Sequence, residues 1–420
     1  MNRSPLIVIF TTVFIDLVGF GIVIPVLPFY AEGTAFNATP RTVGFLFASY
    51  SIMQLIFSPI LGRLSDKHGR RPVLFLSIIG TGIGFLILGF ARTIWMLFLG
   101  RILDGITGGN ISTAQAYIAD ITTKENRAKG MGLIGAAFGL GFIFGPAIGG
   151  ILSRWGIHVP FFFAAGLCFA NALLLFFTLP ETVTADHPAR QPAAGGRGFG
   201  PLIESLKQPK LAFVLLVYFL FVVAFSIMTT SFSLYTMFRF GYDAQHTGYL
   251  FAYVGVIAVV IQGGLIGRLV KRFGELPLVI FGALCFAISL FAVPFVGPAA
   301  GGLAALLIGG GVFSMGNSMA TPALTSLASK SVGPEQQGTV LGVTQSAASL
   351  ARAVGPSLAA VLINSSIPHM GNDGDLHYMS DHSLFVTFWT GAAIMFAACL
   401  MAVYFMRAYA GDYAEVAEAT

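Results

Sequence analysis

Twelve apolar stretches, each long enough to cross a hydrocarbon layer, decide what this chain can become. About 20 residues of helix span a bilayer core, and runs of that order lie near 5–29, 42–62, 72–91, 94–118, 128–152, 158–180, 210–237, 245–267, 276–296, 299–327, 336–363 and 383–407. Between them charge is scarce: 10% of residues are charged, against roughly 25% in an average soluble domain. Lipid cannot satisfy free backbone polar groups, so a spanning chain must be helical or a closed barrel. A barrel would alternate polar and apolar residues in short strands. These runs are continuous, so the expected class is an all-α integral membrane protein with twelve spanning helices. The first run starts at Pro5 after Arg3 and lacks a small-residue cleavage site before Pro28, so it reads as a retained helix.

Orientation follows from the cations. Of 23 lysines and arginines, Arg101 and Arg352 fall in the interior of apolar runs. Arg41, Arg92, Arg154 and Arg239 fall in one set of alternate loops, and all the others fall in the opposite set or at the ends. The positive-inside bias puts both termini in the cytoplasm. The net charge of +5 is therefore a topology signal and not a nucleic-acid one. Cys168, Cys285 and Cys399 lie in separate runs, which suggests neither a disulfide framework nor a thiolate metal site.

A charged phrase occurs twice at the ends of apolar runs, as Gly62-Arg63-Leu64-Ser65-Asp66-Lys67-His68-Gly69-Arg70-Arg71-Pro72 and again from Gly267 to Pro277. A second echo relates Gly145-Pro146 to Gly355-Pro356. Repeats about half a chain apart imply two similar six-helix halves around a central site, an arrangement that points to transport. Residues 1–180 form the expected first half, 181–209 a Pro- and Gly-rich cytoplasmic linker, and 210–420 the second half with a short cytoplasmic tail. Glycines four apart put small residues on one helix face, where backbones can approach closely. Gly145, Pro146 and Gly149 read either as such packing or as a bending point, because proline removes a backbone donor. No GxxxxGK[ST] string occurs. Uphill work is expected to draw on an ion gradient, with no cofactor.

Four charges sit at membrane depth, at Asp16, Arg101, Asp104 and Arg352. Such charges cost a few kcal/mol each even on the generous insertion scales, so they face a partner or water and mark function. Arg101 and Asp104, three apart, share a helix face. A carboxylate withdrawn from water holds its proton more tightly and a nearby arginine loosens it. These residues therefore read as a proton switch, the alternative being a static ion pair. Arg352 reads as a cation for a cavity anion or as a structural bond to its own half.

The phrase Gly62 to Arg71, Arg101 with Gly105, and GLGFIFGPAIGG in the fifth run resemble the signature motifs of the major facilitator superfamily. IDLVGFGIVIPVLP with LFLGRILDGITGG is similar to the twelve-helix drug:proton antiporter branch that includes tetracycline efflux proteins. The resemblance covers nearly all of the first half and, more weakly, the second. It implies two pseudo-symmetric six-helix bundles around one midplane cavity, Asp16 and Arg101 at motif positions where they would pair, and the inner membrane of a bacterium. It further implies that Gly62, Asp66, Gly69, Arg70 and Arg71 form a gate that locks the cytoplasmic side, with the acid capping a helix of the opposite half. Asp120 and Arg127 are placed to join that gate. In the second copy Lys271 stands for Asp66 and Glu275 for Arg70, so the gate is expected to be asymmetric.

The expected cavity is apolar and aromatic, with 40 phenylalanines in the chain and scattered polar groups. Gln54, Asn110 and Gln115 in the first half, and Tyr235, Asn317, Gln345 and Arg352 in the second, are the candidate contacts. Such walls suit amphiphilic organic solutes. The tetracycline efflux proteins carry an acid in the third helix where this chain has Gly84, and a histidine and an acid in helices eight and nine that 245–296 lacks at midplane. The resemblance therefore supports the branch and not the named drug. His369, Asp373, Asp375, His377, Asp381 and His382 could ligate metal, but their spacing fits a hydrated loop, so no metal is expected. The expectation is a monomeric, proton-coupled transporter in a lipid bilayer, exporting small lipophilic organic compounds. The alternatives are an uptake symporter or facilitator, and a non-transporting sensor. No constellation of an enzyme is present.

Overall fold

The computed structural model describes residues 3–33, 36–122, 124–182, 207–332, 337–363, 369–370, 376–377 and 379–408. The side chains of 3–4, 124–129, 131–132, 135–136, 337–339, 369–370 and 376–377 lie outside that description. The chain runs through α1 (Arg3–Glu32), α2 (Pro40–His68), α3 (Arg70–Gly89), α4 (Ile94–Thr107), α5 (Asn110–Ile121), α6 (Lys124–Leu152) and α7 (Val159–Thr178). After the linker come α8 (Pro209–Phe240), α9 (Ala244–Val260), α10 (Ile266–Phe273), α11 (Glu275–Ala292), α12 (Gly302–Lys330), α13 (Gln337–Leu362) and α14 (Asp381–Ala408). A two-residue antiparallel pair, β1 (His369–Met370) and β2 (Leu376–His377), precedes α14.

Among the described residues ten helices are long and apolar enough to cross a membrane. The α4 and α5 pair and the more polar α13 complete the twelve spans. Two predicted runs depart from regular α-helix. The fourth is divided at Gly108-Gly109, and the carbonyl of Gly108 is taken by Gln54 Nε2 at 2.9 Å. A side chain thus satisfies the backbone group that the break frees, as membrane depth requires. The eighth keeps its course but passes through a π-helical turn, Ile261–Leu265, between α9 and α10. Such turns are rare inside helices and are frequent at functional sites.

Packing inside the first set of spans repeats in the second. α1 rests on α6 and α7, α3 on α4 and α7, and α2 on α4. Correspondingly α8 rests on α13 and α14, α11 on α12 and α14, and α9 on α12. The sets meet chiefly where α2 packs on α13 and α6 on α9, so the second span of each set lies against the fifth of the other. That reciprocity is what a pseudo-two-fold axis requires.

The two lobes touch at the end remote from the linker. A Cβ added to Gly44 would collide with Ala360, and one on Gly150 would stand 2.9 Å from Gly248 Cα. Ser233 Oγ donates to the carbonyl of Ile24 at 3.2 Å across the same end. Toward the linker end, Gly263, Gly264, Gly267 and Gly342 have nothing within 4 Å of where a Cβ would sit. The lobes are thus in backbone contact at the end remote from the linker, and those four glycines take no part in such a contact.

Candidate functional site

The fourth span holds the charge centre. Arg101 is 0% exposed and Asp104 4% exposed, and Arg101 Nη1 donates to Asp104 Oδ2 at 2.9 Å. The i,i+3 spacing lets α4 make this pair alone, without help from another helix. The guanidinium lies 4.3 Å from the ring centroid of Tyr50 on α2, and Gln54 Nε2, one turn further, donates to Tyr50 Oη at 2.9 Å. Gly105 permits this approach, because a Cβ there would run into the backbone of Tyr50. Asp16 is half-buried on α1 and takes its hydrogen bond from Asn110 Nδ2 at 3.3 Å. Arg101 therefore serves Asp104 here, and Asp16 rests on a neutral amide, within Coulombic reach of Asp104.

The loop phrase condenses around Arg70, whose side chain is 4% exposed. Arg70 Nη1 donates to Asp66 Oδ1 at 2.6 Å and to Ser65 Oγ at 2.7 Å, and Nε donates to Asp120 Oδ2 at 3.0 Å. Gly69 turns the chain with φ of 99°, a region that costs other residues. The carboxylate of Glu181 accepts from the backbone nitrogens of Arg70 and Arg71 at 2.9 and 3.0 Å, an anion set on the N-terminus of α3. Arg71 donates to the carbonyl of Phe176, with its guanidinium 5.1 Å from that ring's centroid. Gly62 lies 3.7 Å, by its added Cβ, from Ser112. These bonds all stay inside the first lobe and reach no helix of the second. The side chain of Arg127 lies outside the described residues. In the second copy Gly274, with φ of 78°, occupies the turn, and Glu275 pairs with Lys330 and accepts from Ser326 Oγ at 3.0 Å.

The model of the Major Facilitator Superfamily matches residues 9–356. The chain belongs to the major facilitator superfamily. Within it, the chain is 36% identical to the class B tetracycline resistance protein of Escherichia coli, over 88% of this chain and 90% of that one. It is 31% identical to multidrug resistance protein 2 of Bacillus subtilis, over 87% and 90%. Its structure superposes on the crystal structure of the human organic anion transporter MFSD10 with a TM-score of 0.69 and 25% identity, over 95% of this chain and 99% of that one.

In this superfamily member Gly84 lies in the third span, against α4. A Cβ on Gly84 would lie 3.1 Å from Gly100 O and 3.2 Å from Asp104 Cβ. A side chain there would press on α4, the helix that carries Asp104.

The remaining candidates divide. Gln54 and Asn110 are engaged by their own lobe, in bonds to Tyr50, Gly108 and Asp16. Tyr235 is fully buried, its hydroxyl donating to the carbonyls of Val293 at 3.0 Å and Val296 at 2.7 Å, which makes it a tether within the second lobe and not a cavity contact. Gln115, Asn317 and Gln345 are half-buried, and Asn317 accepts from Thr321 Oγ1 at 3.2 Å. α6 continues unbroken through Gly145, Pro146 and Gly149. Cβ atoms on Gly145 and Gly149 would stand 2.6 Å from Gly21 Cα and 2.9 Å from Ile22 O, so the glycines form the seam on which α1 lies. Arg352 Nη2 donates to Ser349 Oγ at 3.1 Å, and its guanidinium stands 5.9 Å from the ring centroid of Phe138 in the opposite lobe. Two contributors escaped the sequence reading. Tyr50 carries a signal in its one-turn spacing from Gln54, whereas Glu181 falls in a stretch of linker composition.

Proposed function

We propose that this superfamily member is a proton-coupled antiporter that exports small lipophilic or amphiphilic organic compounds by alternating access. The observation that carries the reading is Asp16, a half-buried midspan carboxylate beside the start of α5, with an amide in place of a counter-ion. Protonation removes the cost of that charge in a closed protein, and opening to water restores the charge, so the residue can load a proton on one side and release it on the other. The nearby arginine is already neutralised by Asp104, which leaves Asp16 to do the trading. Reciprocal contacts of α2 with α13 and α6 with α9 suit a rocking motion, since breaking one end and making the other exchanges similar surfaces. The drug-resistance names of the Escherichia coli and Bacillus subtilis relatives support this class of cargo.

On this reading a transmembrane proton gradient supplies the energy, no cofactor is needed, and one chain in the inner membrane of a bacterium, with both termini cytoplasmic, is the working unit. The linker end then faces the cytoplasm. The Arg70 network, intact within the first lobe, is held ready to engage the second when that end closes. The test is flux of a lipophilic compound panel in proteoliposomes with an imposed pH gradient. The native protein is expected to show gradient-driven transport that Asp16→Asn abolishes. Unaltered pH-dependent flux in the variant would sink the reading.

A further inference from the structure

Two of the four midspan charges cancel and two do not. Arg101 and Asp104 form a sealed pair at 2.9 Å, both almost fully buried. Asp16 and Arg352 are each half-buried, and among the described residues neither is in an ion pair. Asp16 has an amide partner, Asn110, and Arg352 has a hydroxyl partner, Ser349. They stand on opposite lobes, on α1 and α13, yet both lie within Coulombic reach of the Tyr50 hydroxyl. Arg352 also reaches across to the ring of Phe138 on α6. Tyr50 therefore stands within reach of an anion of one lobe and a cation of the other, neither of them in an ion pair among the described residues.

The surface between them is aromatic. Phe20, one turn beyond Asp16, lies with its ring centroid 5.7 Å from that of Phe142, and Phe142 lies 5.5 Å from Phe225 of the second lobe. Phe138, under Arg352, is one turn from Phe142 on the same helix. A flat apolar body can rest on this row with polar ends directed at the two charges.

We propose that the site selects zwitterionic amphiphiles, with an aromatic body on Phe20, Phe142 and Phe225, an ammonium end toward Asp16 and an anionic end toward Arg352. This rests on the antiport reading and names its substrate class. A ligand bearing both charges supplies each unpaired group with its counter-ion, whereas a simple cation leaves Arg352 unpaired and a simple anion leaves Asp16 unpaired. The ammonium competes with a proton for the same carboxylate, so binding of cargo releases a proton, which is the exchange that antiport needs. The titratable groups near Asp16 are Asp104, Tyr50 and Cys168, and those near Arg352 are Tyr218 and Tyr50.

The experiment uses four compounds on one ring system in proteoliposomes with a pH gradient. They are a dimethylaminomethyl-naphthoic acid, its methyl ester, the acid in which isopropyl replaces the amine, and the ester of that acid. They present a zwitterion, a cation, an anion and a neutral molecule of similar shape. Gradient-driven flux of the zwitterion is expected to exceed that of the others by about tenfold, the order of one charge-assisted contact. Arg352→Gln is expected to bring the zwitterion and the cationic ester to parity, and Arg352→Lys to keep the preference, which also shows that the arginine site tolerates change. A native preference for the ester or the anion, or an unchanged preference in Arg352→Gln, would overturn the proposal while gradient-driven flux upholds antiport. Flux of all four indifferent to the gradient would overturn both.

Discussion

Arg101 has no exposure, a single carboxylate partner, and a ring beneath its flat face. Its Nε and Nη2 find no hydrogen-bond partner among the described residues, so Tyr50 supplies much of what offsets its burial. A desolvated cation–π contact contributes about 2 kcal/mol. Tyr50→Leu is therefore expected to lower stability by roughly that amount and to move the pH profile of transport, because Arg101 then shifts against Asp104 and Asp16. Tyr50→Phe keeps the ring and loses only the acceptor of Gln54, so its profile should stay close to native. Thermal unfolding in detergent and flux against pH check both; equal behaviour of the two variants would deny the ring its positioning role. Charges in apolar runs were legible because few physical reasons place them there. Tyr50 was not, since an aromatic residue in a membrane helix faces lipid more often than a cation. Glu181 was hidden by its neighbours, whose Pro- and charge-rich composition reads as linker even though the carboxylate caps α3.

Helix number and halves were readable from run length and from the repeated phrase, because lipid leaves the backbone so few options. The break at Gly108-Gly109 was not, since its stability depends on Gln54, a residue of another helix. The same limit applies to the glycine seams, where spacing announces close packing but not the partner. Gly248 meets Gly150 across the lobes, a Cβ on it lying 2.8 Å from Gly150 Cα. Filling that contact overpacks only the state in which this end is closed, at a cost of about 1–3 kcal/mol. Gly248→Leu should therefore shift the population toward opening at that end by roughly tenfold or more. A cysteine in place of Ser233, which bridges to Ile24 in the closed end, should react correspondingly faster with a membrane-impermeant maleimide. An unchanged labelling rate would mean that the seam does not gate that end.

For the whole molecule, the packing is symmetric and the locks are not. The first loop network gathers Asp66, Asp120 and Glu181 around two arginines, whereas the second gathers Lys330 around Glu275, with opposite polarity at the first residue of the helix. Closing the linker end must therefore bring unlike surfaces together, while the opposite end is held by backbone contact of small residues. Those small residues also give the means to arrest the cycle. A Cβ on Gly44 would stand 2.4 Å from Ala360 Cβ, so Gly44→Cys with Ala360→Cys can form a disulfide once the two helices ease apart toward the roughly 3.8 Å Cβ separation of that bond. The native cysteines, buried in other helices, do not compete. If alternating access requires α2 and α13 to part, oxidation of this pair should stop gradient-driven flux and a reductant should restore it. Full flux through the cross-linked protein would show that cargo crosses without separation of the lobes at this end, and the rocking mechanism would fail with it.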